Sequence, residues 1–434
     1  MTAREHARQI FQAAVRSVDA ATSVRHALLL ENDRLLLRGR EVARLTDAGR
    51  VIVLGAGKAA MGMASGALEA LESRVDAGVL AVPHLSETAM PPLDVYGAGH
   101  PLPDTGSLAA AAESMRMARG AGAEDLVLCL ISGGASALWA APPDGVGLDD
   151  LRQITSALLL AGADIGEINT VRKHLSRIAG GRLALAAAPA KLITLAISDV
   201  IGAPPETIGS APTVPDNTTF NDALAVLARH ELDPPLSVLR HLQIGAADET
   251  QAGETAADRA IFHIVARLDD ALSAARAEAE SLGYRAEIVS NSLTGEARAV
   301  GADIASFALT ALRSAGGDRR ALIWGGETTV TVLGEGRGGR NQELALAAAR
   351  ILEGRDEFTI LACGTDGIDG PTHAAGGLTD GGTVARAAAA GLSADDALER
   401  NDVLPLLSAA GDLVVTGPTG TNVGDILVVL VDAG

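Results

Sequence analysis

Short apolar runs that end in glycine or small polar residues recur along this chain, each followed by apolar positions at helical spacing. Arg50 to Leu54 is one such run, entering Gly55-Ala56-Gly57-Lys58, with a helix predicted from about Ala59. Gly78 to Val82 reads as a second strand, and Asp125 to Ile131 as a third that ends in Ser132-Gly133-Gly134-Ala135-Ser136. Helices are predicted over Asp149 to Ala161 and, in one or more pieces, Ile168 to Ala188. Lys191 to Ile197 is a strand that ends in Ser198-Asp199-Val200. Strands alternating with helices in this way mark an α/β fold with a doubly wound parallel sheet. Ahead of them, the amphipathic stretch from Ala3 to Leu30 is predicted as a single opening helix.

Between Ile201 and about Leu236 stand Pro204, Pro205, Pro212, Pro215, Pro234 and Pro235, which predict a loop and linker. A second alternation follows. Strands are expected at Ile261 to Ala266, Arg285 to Val289, 321–324, 328–333, 358–363, 412–416 and 426–431. Helices are expected at Asp269 to Leu282, Gly295 to Leu312 and about Asn341 to Leu352. We therefore expect two domains, 1–238 and 239–434, as the length of 434 residues also suggests.

Composition narrows the class. Apolar residues make up 48% but aromatics only 2%, so the core should be aliphatic and helix-rich. A net charge of -19 argues against nucleic acid or an anionic membrane as partner, because phosphates would be repelled. The N-terminal residues show no apolar signal region, and Leu183 to Ile197, interrupted by Pro189 and Lys191, is too short to span a bilayer. A cytoplasmic protein is the expectation. Cys129 and Cys363 lie in apolar runs and read as buried thiols rather than a disulfide or zinc site.

The chemistry concentrates after strands, where glycine lets backbone approach a ligand. Two late segments share one character: Gly325-Gly326-Glu327-Thr328-Thr329, running on to Gly338-Gly339-Arg340-Asn341-Gln342-Glu343, and Gly364-Thr365-Asp366-Gly367-Ile368-Asp369-Gly370. They offer carboxylates for a metal or a proton (Glu327, Asp366, Asp369) and a cation for an anion (Arg340). That set suits phosphoryl transfer better than redox chemistry. Gly325, Gly326, Glu327, Thr328, Asn341 and Gln342 are the expected contacts to substrate or nucleotide.

Gly57-Lys58 sits at a strand-to-helix turn suited to an anion, but it departs from both common nucleotide signatures. Gly62 falls one residue late for a dinucleotide fingerprint, Val82-Pro83-His84 supplies no ribose-binding acid, and no P-loop is present. Lys58 is a candidate for a transferring phosphoryl group, against a solvated lysine on a tight turn. Ser132, Gly133, Gly134 and Ser136 fit an anion nest, against a plain turn or a nucleophilic serine. Arg172 and Lys173, beside His174, fit recognition of a carboxylate or phosphate, against a solvated helix face. Asp199 fits a group that orients or deprotonates a substrate hydroxyl, against a helix cap. His84, His100 and His174 lack metal-ligand spacing, and His100 reads as structural or rim.

These motifs together resemble the glycerate 2-kinases of the MOFRL type, some of which carry a hydroxypyruvate reductase label. The resemblance extends over nearly the whole chain. It rests on Val53 to Ala59, Gly99 to Asp104, Leu130 to Gly134, Ile168 to Ser176 and Ile197 to Val200. The glycine-rich segments at 325–330, 338–343 and 364–370 carry it too, with Thr416-Gly417-Pro418-Thr419-Gly420-Thr421-Asn422. It implies a Rossmann-like N-terminal domain, a C-terminal α/β domain with its MOFRL region at about 320–430, and an active site in the cleft between them.

The implied reaction moves the γ-phosphoryl group of ATP to the 2-hydroxyl of D-glycerate with Mg²⁺. Lys58, Asp199, Arg340 and Asp366 are carried over as catalytic, and Glu327, Asp366 and Asp369 as the metal set. The partners implied are small molecules, with neither nucleic acid nor membrane, for a monomer or homodimer. Ala135, Ala179 and Ala211 depart from the family pattern, which more often has glycine, lysine and glycine there. The rival readings are an NAD(P)H-dependent hydroxypyruvate reductase and a non-catalytic sugar-acid sensor.

Overall fold

A computed structural model of the chain describes residues 2–84, 89–199, 202, 204–248, 260–313 and 317–432; Val200 and Ile201, named above, lie outside them. The fold is two compact units, residues 20–265 and residues 1–19 with 266–434.

The first unit carries β1 (Leu28–Glu31), β2 (Arg34–Leu37), β3 (Arg40–Arg44), β4 (Val51–Ala56), β5 (Val75–Pro83), β6 (Leu93–Ala98), β7 (Leu126–Ile131), β8 (Lys191–Ser198) and β9 (Ile261–Arg267). The opening helix predicted over 3–30 is in fact three elements: helices Ala3–Ser17 and Ala20–Ala27, then β1. Leu28 to Leu30 keep helical spacing in sequence, yet Leu28 pairs with Leu37 and Leu30 with Leu35 across a turn. That turn holds Asn32 at φ 59, and the next holds Arg38 and Gly39 at φ 51 and 79. The two successive positive φ values at Arg38 and Gly39 match the twist of a two-residue hairpin between β2 and β3, and pairing with β2 draws Leu28 to Leu30 out of the helix.

The main sheet has the order β6-β5-β4-β7-β8-β9. β4 pairs in parallel with β5 and β7, and the pairs β5–β6 and β7–β8 are parallel too. Every residue of β4 and β7 is buried, which is why both read as unbroken apolar runs. From β4 the chain proceeds through β5 to β6 on one side; β7 and β8 then continue on the other. The strand order therefore reverses between β4 and β7, where open sheets of this kind bind ligands.

The proline-bearing stretch is part of this unit's core rather than a linker. Thr219 and Asp222 form a capping box that starts the helix Phe220–Arg229. Ala223, Val226 and Leu227 of that helix share one cluster with Val171 and Leu175, and with Val238 and Leu242 of the helix Leu236–Asp248. The expected division at 238/239 thus falls inside a helix whose apolar side is already committed, and the contacts divide the chain near 265.

The second unit carries β10 (Arg285–Leu293), β11 (Arg320–Gly326), β12 (Phe358–Gly364), β13 (Gly376–Asp380), β14 (Leu413–Val414) and β15 (Asp425–Val431) in the order β10-β11-β15-β12-β13-β14. β10 and β11 are parallel; the other neighbours are antiparallel. The last strand of the chain lies fully buried between β11 and β12, and its register sets Asp425 opposite both Gly326 and Gly364.

Residues 328–333, predicted as a strand, are irregular apart from one bridge from Glu296 to Thr329. The Glu296 carboxylate accepts the Thr331 N–H, and Asn401 Oδ1 accepts those of Leu333 and Gly334, so side chains replace a ladder. The helix Ala3–Ser17 belongs to this unit: Arg4 reaches Asp412 at 2.8 Å and His6 Nδ1 lies 3.0 Å from the Tyr284 hydroxyl.

Candidate active site

In the first unit the functional side chains gather where the parallel strands end. Ala56 is level with Ile131, and Ile131 with Ala196, so Gly57-Lys58, Ser132 to Gly134 and Asp199 all lie just past one edge. The turns after β4 and β7 clasp each other. Lys58 N–H donates to Gly133 O at 2.9 Å, and Ala59 N–H donates to Ser132 Oγ at 2.9 Å. Gly57 stands at φ 133, and a Cβ there would lie 2.1 Å from Ser132 Oγ. Ser132 is fully buried in this clasp, so its hydroxyl locks two turns rather than lining a site.

The N–H groups of Gly133 and Gly134 make no hydrogen bond among the described residues, as an anion nest requires. Gly134 (φ 87) has the His100 ring and the Lys58 stem against it: an added Cβ would lie 2.9 Å from His100 Cδ2 and 3.7 Å from Lys58 Cγ. His100, read from sequence as structural or rim, thus stands beside Lys58. His84 Nε2 lies 2.5 Å from Asp104 Oδ2. Burial raises the Asp104 carboxyl, but the Ser107 N–H and His84 outweigh it and hold the group down at about 2.

Arg172 and Lys173 part company. Both ride on the helix Ile165–His174, which Asp164 and Glu167 start with a capping box. Lys173 is buried and donates to Asp216 Oδ1 at 2.6 Å, a structural ion pair and not the substrate contact expected. Burial pushes the Asp216 carboxyl up, and Lys173 and Thr218 more than offset it. Arg172, on the adjoining face, has no carboxylate partner among the described residues. Burial pulls its pKa below the ordinary guanidinium value, since nothing nearby compensates its charge. It lines a pocket with Ser136, Ser176, Ser210 and Trp139. Ser136 Oγ and Ser210 Oγ are 2.7 Å apart, and Ser210 donates to Asn169 Oδ1 at 3.1 Å.

In the second unit the glycine-rich segments meet around Asp425. Arg340 forks onto it, with Nε 2.6 Å from Oδ2 and Nη2 3.0 Å from Oδ1, while Nη1 contacts Glu327. Burial works against the Arg340 charge, but Asp425 and Glu327 hold its pKa above the ordinary value. A Cβ on Gly364 would lie 3.1 Å from Asp366 Oδ1 and 3.4 Å from Asp425 Oδ1, so both carboxylates face that glycine. Glu327, Thr328, Gly325, Gly326, Asn341 and Asp425 line one small pocket.

Asp369 does something else. Its Oδ1 accepts the Asn341 N–H at 3.0 Å and its Oδ2 the Gln342 N–H at 2.9 Å, with both amide side chains adding donors. It therefore caps the helix Arg340–Ile351 from a distant loop, and burial pushes its carboxyl up to about 6. Asn341 and Gln342 are the other half of this cap and are buried. Among the described residues no group of three His, Cys, Asp or Glu side chains is arranged to hold a metal. Asp369 is thus taken up by the helix cap, Glu327 is paired with Arg340, and Asp366 Oδ1 accepts the Ile368 N–H at 3.0 Å.

Sequence reasoning missed Asp425 and Trp139. The first was legible only as an acid at the head of an all-apolar strand. The second is one of two tryptophans in the chain, three residues past Ser136.

A parallel sheet with a lysine just past a strand end at its switch point, and in the same unit a pocket lined by an arginine without a carboxylate partner among the described residues, fit the class of α/β enzymes. The comparisons narrow this to kinases. A domain of unknown function, DUF4147, matches residues 6–243, and the MOFRL family matches residues 320–425. A D-glycerate 2-kinase from Thermotoga maritima is 40% identical over 90% of this chain and 93% of its own. An Agrobacterium vitis protein carrying a provisional hydroxypyruvate reductase name is 41% identical over 99% and 95%. A crystal structure of the Thermotoga maritima glycerate kinase superposes with a TM-score of 0.83 at 37% identity, covering 99% of both chains. The chain belongs to this glycerate kinase family. Among the described residues no helix is long and apolar enough to cross a membrane.

Proposed function

We propose that this enzyme transfers the γ-phosphoryl group of ATP to the 2-hydroxyl of D-glycerate, giving 2-phosphoglycerate and ADP. The observation that carries the reading is Arg172, a half-buried guanidinium without a carboxylate partner among the described residues, in a pocket edged by serine hydroxyls. A short hydroxy acid supplies the missing anion, and a planar carboxylate matches the arginine fork.

Asp199, at the end of β8, orients the 2-hydroxyl and accepts its proton as oxygen attacks phosphorus. The new ester O–P bond forms as the bond between the γ-phosphorus and the β,γ-bridging oxygen breaks, and ADP leaves with that oxygen. Lys58 offsets charge that develops on the transferred group, and the N–H groups of Gly133 and Gly134 donate to phosphate or carboxylate oxygen. Arg340, held by Asp425 and Glu327, presents its charge on the nucleotide side of the reaction. Mg²⁺ bound with ATP supplies neutralisation of phosphate charge, and Asp366 would hold it as a single carboxylate arm. The need for ATP places the reaction in the cytoplasm, by a monomer or homodimer acting on small molecules.

The reductase reading lacks its anchor. β5 ends in Val82-Pro83-His84, and His84 is tied to Asp104, where a dinucleotide fold places the acid for the ribose. ATP consumption with D-glycerate and Mg²⁺, read by phosphorus NMR, tests the proposal. A phosphate ester at carbon 2 that requires glycerate supports it. Absence of both ADP and ester, with NADH oxidised by hydroxypyruvate, overturns it.

A further inference from the structure

The pocket around Arg172 holds a second donor that nothing in the reaction above uses. Trp139 follows the short turn of helix Ala135–Leu138, and its own N–H is satisfied by Ala135 O at 2.8 Å. Its side chain is 4% exposed, and the indole Nε1–H has no hydrogen-bond partner among the described residues. Buried donors in folded proteins are paired almost without exception, so an orphan donor on a residue that lines a pocket points to an acceptor brought by a ligand.

The chemistry of that ligand follows from what surrounds it. Arg172 is donor-only and charged; the indole is donor-only and neutral. Ser176 Oγ already accepts the N–H groups of Ile178 and Ala179, at 3.2 and 3.1 Å, which leaves its O–H to donate. No acidic side chain lines the pocket, and Ala140, Leu175 and Ile178 form apolar wall. The hydroxyls of Ser136, Thr155 and Ser210 can donate or accept, so a fixed indole donor and a charged guanidinium with no carboxylate in the lining call for a small anionic acceptor, which a carboxylate is.

We propose that Trp139 is a specificity-determining residue of this site: its indole N–H takes one carboxylate oxygen of the acid substrate while Arg172 takes the charge. This rests on the reading of the pocket as the hydroxy-acid site. A neutral donor of fixed direction favours a substrate whose carboxylate plane is set correctly, which a lone flexible arginine does not enforce.

The test uses the full chain. With Trp324→Phe, Trp139 is the remaining tryptophan. Its emission is expected to change saturably with D-glycerate in the absence of ATP, and not with glycerol, which lacks the carboxylate. Trp139→Phe is expected to raise KM for D-glycerate about tenfold, about 1.4 kcal/mol, with kcat and KM for ATP within about twofold. Emission that ignores D-glycerate at concentrations that saturate turnover overturns the inference, as does an unchanged glycerate KM in Trp139→Phe. If the wild-type chain forms no ester from ATP, the kinase reading fails instead, and a glycerate-dependent emission change still supports the pocket.

Discussion

Two arginines, one in each unit, stand in opposite electrostatic states. Arg340 is forked onto Asp425 and also touches Glu327, so its charge is compensated before any ligand arrives. Arg172 is likewise half-buried, yet meets no carboxylate among the described residues, and burial alone bears on it. An ion with partners is held in place by them, and losing a partner is felt in stability whatever else the ion does. A buried ion without them costs folding free energy and is repaid only when an anion binds. The comparison teaches that burial of a cation does not by itself mark a site; the missing partner does. Lys173 makes the point within a single turn of helix, since its partner Asp216 removes it from the candidate list.

The largest expected effect lies in the same unit as Arg172, at the turn after β4. Lys58→Ala should lower kcat by about 10²–10³-fold, the value of one strong transition-state contact of roughly 3–4 kcal/mol. Turnover within twofold of wild type would remove Lys58 from the mechanism. Next, Asp425→Ala should cost about 3 kcal/mol in denaturant unfolding, because it strands Arg340 with the partly exposed Glu327 as its remaining ion-pair partner.

The reverse behaviour is expected of Arg172→Met. Stability should hold or rise by up to about 1 kcal/mol, while KM for D-glycerate rises by about 10–100-fold. A stability loss as large as that of Asp425→Ala would erase the contrast between the two arginines.

A locked pair in the first unit serves as a control. Asp125 accepts from Arg50 Nη2 at 2.6 Å and from the N–H groups of Arg50 and Gly122. The Arg50 hydrogen bond, opposed by burial, holds its carboxyl down at about 2. A depressed carboxylate contributes stability that is fully present above the unfolded value near 4. That contribution is lost as pH falls through about 2. Arg50 is half exposed, so solvent screening limits the contribution to about 1 kcal/mol. The stability gap between wild type and Asp125→Asn should therefore close between about pH 4 and 2.

The smallest effect concerns Ala211, which completes a run of three left-handed residues after Gly209 (φ 59) and Ser210 (φ 58), with φ 53 of its own. Ala211→Gly should stabilise by about 0.5 kcal/mol, relief of left-handed strain less the added unfolded-chain entropy. An unchanged or lower midpoint would mean that the neighbours of this buried methyl matter more than its backbone.

The sequence by itself determined the parallel sheet and the ends of its strands. β4, β7 and β8 are buried on both faces, which leaves unbroken apolar runs that no other arrangement explains as simply. For the same reason the sequence alone puts Gly57-Lys58, Ser132 to Gly134 and Asp199 at strand ends. Arg340 and Asp366 were legible from their glycine-rich settings.

Tertiary structure decided the rest. It sent Leu28 to Leu30 into a hairpin, drew the helix Ala3–Ser17 into the unit of residues 266–434, and set β15 in the middle of its sheet so that Asp425 meets Arg340. It also turned Asp369 from a metal candidate into a helix cap, and Lys173 from an anion contact into half of an ion pair. Periodicity reports which side of an element is buried. Which partner a charged side chain finds depends on residues 28 to 85 positions away, and only the packed fold brings those together.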